Sequence, residues 1–320
     1  MNIMGMIGGV LKYLGYGAGG LASVALVLLV ALQDKLVYVP VIPGQPREYP
    51  YTPDRLGLEY EDVWLRAADG VKLHGWFIRA TPRLRSEAAV TGPTVLFFQE
   101  NAGNIAHRLE NVVMMIRHLR CNMFLLSYRG YGASEGSPTE RGLVMDAQAA
   151  LDYLLNREDI DPDRIIAFGR SLGGAVATQL ARKNPGELRA VILENTFTSI
   201  LDMAGILMPA LGYVIGGNGY KPLNFLVRNQ WRTLEAIREL KEPILFLSGL
   251  KDEMIPPAMM KKLYRAATNA QDRVYVEFPT GMHMDTWLRG RESYWQALQD
   301  FLGVQGDTRT RTLESQNLRK

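Results

Sequence analysis

The stretch Gly169-Arg170-Ser171-Leu172-Gly173 constrains this 320-residue chain more than any other. Before it, Arg164-Ile165-Ile166-Ala167-Phe168 is a short apolar run suited to a buried parallel strand. After it, Gly174-Ala175-Val176-Ala177-Thr178-Gln179-Leu180-Ala181 is a helix start rich in small residues. A strand that turns into a helix within a few residues leaves no room for side chains beside the turn, hence the glycines. The turn lifts the Ser171 hydroxyl above the sheet and sets it near a helix N-terminus. Backbone N–H groups there can meet a developing oxyanion. A bare G-x-S-x-G arises by chance in about one chain in ten at average residue usage. The strand–turn–helix context raises it to a candidate nucleophile elbow.

A hydroxyl is a poor nucleophile until an imidazole takes its proton. The chain has 4 histidines. His74 lies in an early strand pattern, and His107 and His118 lie on the first helix pattern; His74 and His118 read as structural or exposed. His107 is one turn from the candidate oxyanion loop and reads as a supporting residue at most. His283, in Thr280-Gly281-Met282-His283, follows the last strand, at the carboxyl end where sites form in open α/β sheets. The base needs a carboxylate to orient it. Asp252 follows the strand Ile244-Leu245-Phe246-Leu247-Ser248-Gly249, again at a carboxyl end, which gives the chain order Ser, acid, His. Glu253 is the adjacent alternative, and Asp285 reads as a loop or helix-cap residue. For the oxyanion, the expected donors are the N–H of Leu172 and that of Asn101, in the loop Gln99-Glu100-Asn101-Ala102-Gly103-Asn104. Glu100 would oppose the developing charge unless it points away.

The surrounding pattern supplies the scaffold. Eight strand signals are read: Glu59 to Arg66, Val71 to Arg79, Thr94 to Phe98, Asn122 to Tyr128, the elbow strand, Ala190 to Leu193, Pro243 to Leu250 and Val274 to Phe278. The first two flank a hairpin signal at Ala67-Ala68-Asp69-Gly70. Helical stretches run to His118, from Pro138 to Leu155, after the elbow, near Ala258 to Ala267, and from Trp295 to Leu302. Such alternation predicts a mostly parallel sheet with helices on both faces and an antiparallel start. Thr198 to Leu240 breaks the alternation with Ile200, Leu201, Met203, Ile206, Leu207, Met208 and Leu211, and reads as a small helical cap. The competing reading is an ordinary crossover helix with an irregular tail. Ala80 to Gly92 is a polar loop, and residues 304–320 form a polar tail expected to be disordered.

The N-terminus is different. From Tyr13 to Gln33 there are 21 residues without a charge. Leu14 to Leu32 as a helix would span about 28 Å, near the hydrocarbon thickness of a bilayer. Lys12 is the only charged side chain before it, and no small-x-small cleavage site follows Leu32. An uncleaved anchor over residues 1–35 is therefore favoured over a signal peptide. Gly15 and Gly19 form a small-xxx-small pair suited to helix contact. Pro40, Pro43, Pro46, Pro50 and Pro53 make residues 36–57 either a stiff connector or an ordered segment along the domain at 58–303. Net charge is only +3, with no basic stripe, so nucleic-acid binding lacks electrostatic support. The single cysteine, Cys121, permits no internal disulfide and reads as a small buried hydrophobe. With no usable N-x-S/T sequon either, the domain is expected to face the cytosol, at the endoplasmic reticulum, endosomal or plasma membrane.

Several further motifs occur together. They are Asn101-Ala102-Gly103-Asn104, Tyr128-Arg129-Gly130-Tyr131-Gly132, Gly169-Arg170-Ser171-Leu172-Gly173-Gly174, Glu194-Asn195-Thr196-Phe197 and Gly281-Met282-His283-Met284-Asp285-Thr286-Trp287. In this the chain resembles the bud-emergence type α/β-hydrolases, which include the plant wavy-growth proteins and a related animal membrane-anchored hydrolase. The resemblance covers about Leu36 to Leu302 plus the anchor. Gln99-Glu100 resembles the plant branch, where the animal branch has His-Gly. The resemblance implies an α/β-hydrolase fold with nucleophile, acid and base at Ser171, Asp252 and His283. It also implies a membrane serine hydrolase, since some similar proteins remove palmitoyl groups from protein cysteines.

The expectation is thus an eight-stranded, mostly parallel α/β-hydrolase with a small cap, preceded by one transmembrane helix. It would cleave an acyl ester or thioester of an acylated protein or lipid at a bilayer, with no cofactor. A serine peptidase on short substrates is the alternative, with Glu100 or Glu194 holding a substrate amine. A catalytically weak membrane scaffold in polarity or growth signalling is the third reading.

Overall fold

The computed structural model describes residues 16, 20, 23–80, 92–217, 219 and 221–303. The polar tail at 304–320, most of the Ala80 to Gly92 loop and much of the Leu14 to Leu32 stretch lie outside them. Among the described residues no helix is long and apolar enough to cross a membrane. Residues 23–37 form helix α1.

Eight strands make one sheet in the order β1-β2-β4-β3-β5-β6-β7-β8. They are β1 (Tyr60–Arg66), β2 (Lys72–Ile78), β3 (Thr94–Phe98), β4 (Asn122–Ser127), β5 (Ile165–Arg170), β6 (Ala190–Glu194), β7 (Ile244–Gly249) and β8 (Arg273–Phe278). β1 pairs antiparallel with β2, and β2 antiparallel with β4; all later pairings are parallel. β3, β5, β6 and β7 are buried at every position. That is why they read as unbroken apolar runs: helices cover both faces of a parallel sheet. The edge strands β1 and β8 are half exposed and carry charges.

The main covering helices are α2 (Leu109–Leu119), α3 (Glu140–Leu155), α4 (Leu172–Lys183), α7 (Pro257–Ala266) and α9 (Arg291–Leu302), with short α5 (Ile200–Leu207), α6 (Thr233–Ala236) and α8 (Thr286–Arg289) between them. On one face Leu96, Phe98, Phe124 and Ala167 pack against Leu143 and Leu151 of α3, Val176 and Leu180 of α4 and Leu263 of α7. On the other, Val95, Phe97, Met123 and Phe168 pack against Val112 and Ile116 of α2 and Trp295 and Leu298 of α9. The alternation of inward residues along each strand sends neighbours to opposite cores. α3 starts at Glu140 rather than Pro138 because the Thr139 hydroxyl accepts the Gly142 N–H at 3.0 Å and caps the helix there.

The proline-rich segment is not a free connector. Asn104 Nδ2 donates to the Arg47 and Glu48 carbonyls, Arg47 donates to the Gly132 and Ser134 carbonyls, and the Tyr49 hydroxyl meets His74 Nδ1 at 2.7 Å. It lies along the domain surface. His74 also bonds Asp62, and His118 stacks on Trp295 with centroids 4.5 Å apart, so both are structural. Cys121 is buried, and burial pushes its thiol up to about 12.

β3 and β4 lie to one side of the first crossover and β5 to the other, so the sheet's topological switch falls between β3 and β5. A crevice opens at the carboxyl ends of strands at such a point. Phe168, on β5 just before the elbow, is fully buried and stacks on Phe97 with centroids 5.2 Å apart. Phe168→Ala is expected to destabilise the protein by about 3–5 kcal/mol in urea unfolding. A loss below about 1 kcal/mol would contradict this account of the core.

Candidate active site

Ser171 stands between β5 and α4 with φ 54° and ψ −121°, a conformation that L residues avoid. Its surroundings force it. The Ser171 N–H donates to the Glu194 carbonyl at 3.0 Å, and its carbonyl accepts the Thr196 hydroxyl at 2.6 Å. A Cβ at Gly169 would collide with the Gly173 backbone, and one at Gly173 with the Phe98 carbonyl at the end of β3. A Cβ at Gly174 would lie 2.6 Å from the Thr196 side chain. The glycines let α4 start hard against the sheet.

The structure brings the three candidate residues together from three strand ends. Ser171 Oγ is 3.0 Å from His283 Nε2, and His283 Nδ1 is 2.8 Å from Asp252 Oδ2. The side chains of His283 and Asp252 are both 2% exposed. An ionised carboxylate can only accept, so Nδ1 carries the proton and Nε2 is left to receive the serine hydroxyl's. The other Asp252 oxygen accepts the N–H groups of Met254 and Ile255 at 2.9 and 2.8 Å, which fixes the carboxylate's orientation. Glu253 does not take its place: its Oε2 accepts the backbone N–H of His283 at 3.1 Å. Asp285 accepts the Met282 N–H and pairs with Arg289, a loop role.

Asn195 is a positioning residue that the sequence reading did not single out. Its Nδ2 lies within 3.1 Å of the Met282 and His283 carbonyls and 2.9 Å from Thr286 Oγ1. Its Oδ1 accepts the Gly249 N–H at 2.8 Å. One amide thus ties the end of β7 to the loop carrying His283. Asn195 has φ 46°, a left-handed conformation that asparagine tolerates better than most residues. Its place inside the quoted Glu194-Asn195-Thr196-Phe197 motif was the signal available in the sequence.

Asn101 and Leu172 line the same pocket as Ser171 and His283. Leu172 opens α4, where first-turn N–H groups have no intrahelical acceptor. His107 supports the Asn101 loop: its Nδ1 accepts the Asn104 N–H at 3.1 Å.

Glu100 points away from the pocket. Its Oε1 lies 2.9 Å from Arg170 Nη1, and its Oε2 lies 2.7 Å from Arg108 Nε. Arg170 Nη2 also bonds Glu194 Oε2 and Asn111 Oδ1, each at 2.9 Å, and the Tyr294 hydroxyl donates to Glu194 at 2.9 Å. Burial would raise the Glu100 pKa, but the Arg108 and Arg170 charges overcome it and hold the carboxyl below its usual range. Burial pushes Glu194 up despite Arg170. Burial also works against the Arg170 charge, yet Glu194 and Glu100 hold its pKa above the ordinary value. Two cations thus face two carboxylates. This corrects the expectation that Glu100 or Glu194 could hold a substrate amine: both are buried, paired with arginines, and do not line the pocket.

The pocket holds about 360 Å³. Ile200, Met203, Leu207 and Leu211 of the 198–240 region form one wall, so this segment covers the site rather than serving as a plain crossover. Among the described residues lining it, Glu253 is the one acid.

The sheet order, the turn at Ser171 and the covering segment define an α/β-hydrolase. Residues 139–302 match the sequence profile of the Prolyl oligopeptidase family. The chain is 60% identical over 291 residues to the alpha/beta hydrolase domain-containing protein WAV2 of Arabidopsis thaliana, covering 90% of this chain and 92% of that one. It is 35% identical over 292 residues to a Saccharomyces cerevisiae protein named "Uncharacterized membrane protein YNL320W", covering 91% and 95%. The Pyrococcus furiosus esterase Pf2001 superposes with a TM-score of 0.64 at 18% identity, over 83% of this chain and 97% of the esterase, a likeness of fold. The chain belongs to the wavy-growth and bud-emergence type family of α/β-hydrolases, and it is a serine hydrolase by class.

Arg170→Met would leave two buried carboxylates with a single cation. It is expected to destabilise the protein by roughly 3–5 kcal/mol in urea unfolding. A variant as stable as the parent would show that the cluster is not the support described.

Proposed function

We propose that this protein is a membrane-anchored serine hydrolase that cleaves an acyl ester or thioester, with removal of palmitoyl groups from proteins as its most concrete form. The observation that carries the reading is the Ser171–His283–Asp252 chain of hydrogen bonds opening into a pocket lined almost entirely by hydrocarbon. Ser171 Oγ attacks the acyl carbonyl while His283 Nε2 takes its proton. The N–H groups of Leu172 and Asn101 receive the oxyanion. His283 then returns the proton to the leaving thiolate or alkoxide. A water, activated by the same imidazole, releases the acid from the acyl-enzyme.

The anchor rests on the uncharged stretch from Tyr13 to Gln33 and on the yeast relative's name as a membrane protein. A domain facing the cytosol fits the lone buried cysteine and the lack of sequons. The matched peptidase family keeps the peptidase reading open. Its amine would have to meet Glu253, whose Oε2 already holds the His283 N–H. Acyl thioester and aminoacyl substrates assayed side by side separate the two. The scaffold reading leaned on Glu100, and the pairing of that residue with Arg170 and Arg108 takes the support away.

Ser171→Ala is expected to lose all covalent labelling by a fluorophosphonate probe; undiminished labelling rejects the assignment. Asp252→Asn keeps the shape but favours the wrong imidazole tautomer. It is expected to lower kcat on an acyl thioester by about 10⁴-fold. A loss of less than tenfold would mean that Asp252 is not the orienting acid.

A further inference from the structure

Helix α1, which the sequence assigns to a membrane anchor, is also built into the active site. Leu26, Leu29, Val30, Gln33 and Val37 of this helix line the pocket that holds Ser171 and His283. Their spacing of three and four residues places them on one helical stripe. Val27, Leu28 and Leu32, at positions between, and Val24 before them are exposed.

The helix is held there by polar contacts at its C-terminal end. Gln33 Nε2 donates to the Leu226 carbonyl at 3.1 Å, and its Oε1 accepts the Arg228 N–H at 2.7 Å. Asp34 accepts from Asn229 Nδ2 and pairs with Arg228 at 3.1 Å. The buried Tyr38 follows, donating to Asn229 Oδ1 at 3.1 Å and accepting from Trp231 Nε1 at 3.0 Å. Beyond it, the Val39 N–H donates to the Asn101 carbonyl at 2.9 Å, and Asn101 Nδ2 donates to the Val37 carbonyl at 3.1 Å. One segment therefore bonds to the covering region on one side of Ser171 and to the Asn101 loop on the other.

The pocket's shape and polarity say what fits. Its polar members are Gln33, Asn101, Ser171, Asn229, Glu253 and His283. Asn101, Ser171 and His283 belong to the reacting end, and Gln33 and Asn229 are spent on the contacts just described. Among the described residues that line it there is no Lys or Arg, so a phosphate or carboxylate head finds no cationic partner among them. Leu36, Leu207, Met208 and Met254 both line the cavity and are exposed, at 58%, 68%, 39% and 51%, so they frame an apolar mouth.

We propose that α1 is the acyl-chain wall of the active site. The fatty acyl chain of the substrate lies between α1 and α5 and enters through the apolar mouth. Leu26, Leu29 and Val30 set the chain lengths accepted. This rests on the acyl-transfer reading of Ser171 given above.

The test uses the purified full-length protein in detergent and p-nitrophenyl esters from acetate to decanoate. The unmodified protein is expected to gain about fourfold in kcat/KM per methylene while the chain fills the pocket. Leu29→Trp fills the slot and is expected to lower the decanoate-to-acetate ratio of kcat/KM at least tenfold. Leu29→Ala widens it and moves the preferred ester to a longer chain. Val27→Trp, on the exposed face, keeps the parent ratio. Labelling by a small fluorophosphonate shows that each variant retains its elbow, and if Leu29→Trp is unlabelled, Leu29→Ala decides. A parent preference for long chains that neither Leu29 variant changes, or that Val27→Trp changes equally, overturns the wall and leaves the hydrolase reading standing. A parent protein that hydrolyses no ester in a Ser171-dependent way defeats that reading and the wall together.

Discussion

The close approach of α4 to the ends of β3 and β5 is the constraint on which the site is built. It requires bare α-carbons at Gly169 and Gly173, and it drives Ser171 into a conformation that costs on the order of 1–3 kcal/mol. Both backbone groups of Ser171 are bonded, to Glu194 and Thr196, and these bonds hold the strained turn in place. The strain has a chemical use. It stands the hydroxyl at the switch point, facing the pocket, with the N-terminus of α4 beneath it.

A turn so tight leaves Arg170 only one direction, downward into the core. A guanidinium there is tolerable only with anionic partners, and Glu100 and Glu194 supply them. Arg108 balances the second carboxylate. The cluster joins the loop after β3, the elbow and the end of β6 into one block. It also explains how a glutamate can sit beside the proposed oxyanion hole: its charge is matched locally and its carboxylate faces inward. Asn195 does similar work with neutral groups, linking the ends of β7 and β8 so that His283 and Asp252 meet.

Much of this was legible in the sequence because it depends on local pattern. Buried parallel strands announce themselves as apolar runs, and the eight were found with ends displaced by a residue or two. Ser171, Asp252 and His283 could be chosen because each follows a strand at its carboxyl end and because the chain order fits the fold. The Arg170 cluster was not legible. Glu194 and Glu100 lie 24 and 70 residues from Arg170 and form no motif with it; only the three-dimensional register places Arg170 opposite Glu194. Either reading of the proline-rich segment fitted its composition, and what decides is a set of side-chain bonds from Asn104 and Arg47.

The role of α1 was hidden for a different reason. An uncharged run of leucine and valine reads the same whether it faces lipid or an acyl chain, because both are hydrocarbon. That equivalence has an energetic consequence for an enzyme anchored as proposed. Moving a methylene from water into the pocket is worth about 0.8 kcal/mol, but moving it from a bilayer into the pocket gains almost none of this. Hydrophobic transfer therefore favours long chains only for substrates presented from water. For substrates already in a membrane, selection falls to shape: the width of the slot between α1 and α5, and the length of the path from Ser171 to the apolar mouth. A wall contributed by the anchor itself suits that situation, since the helix that meets the bilayer is then the one that shapes the path of the chain out of it.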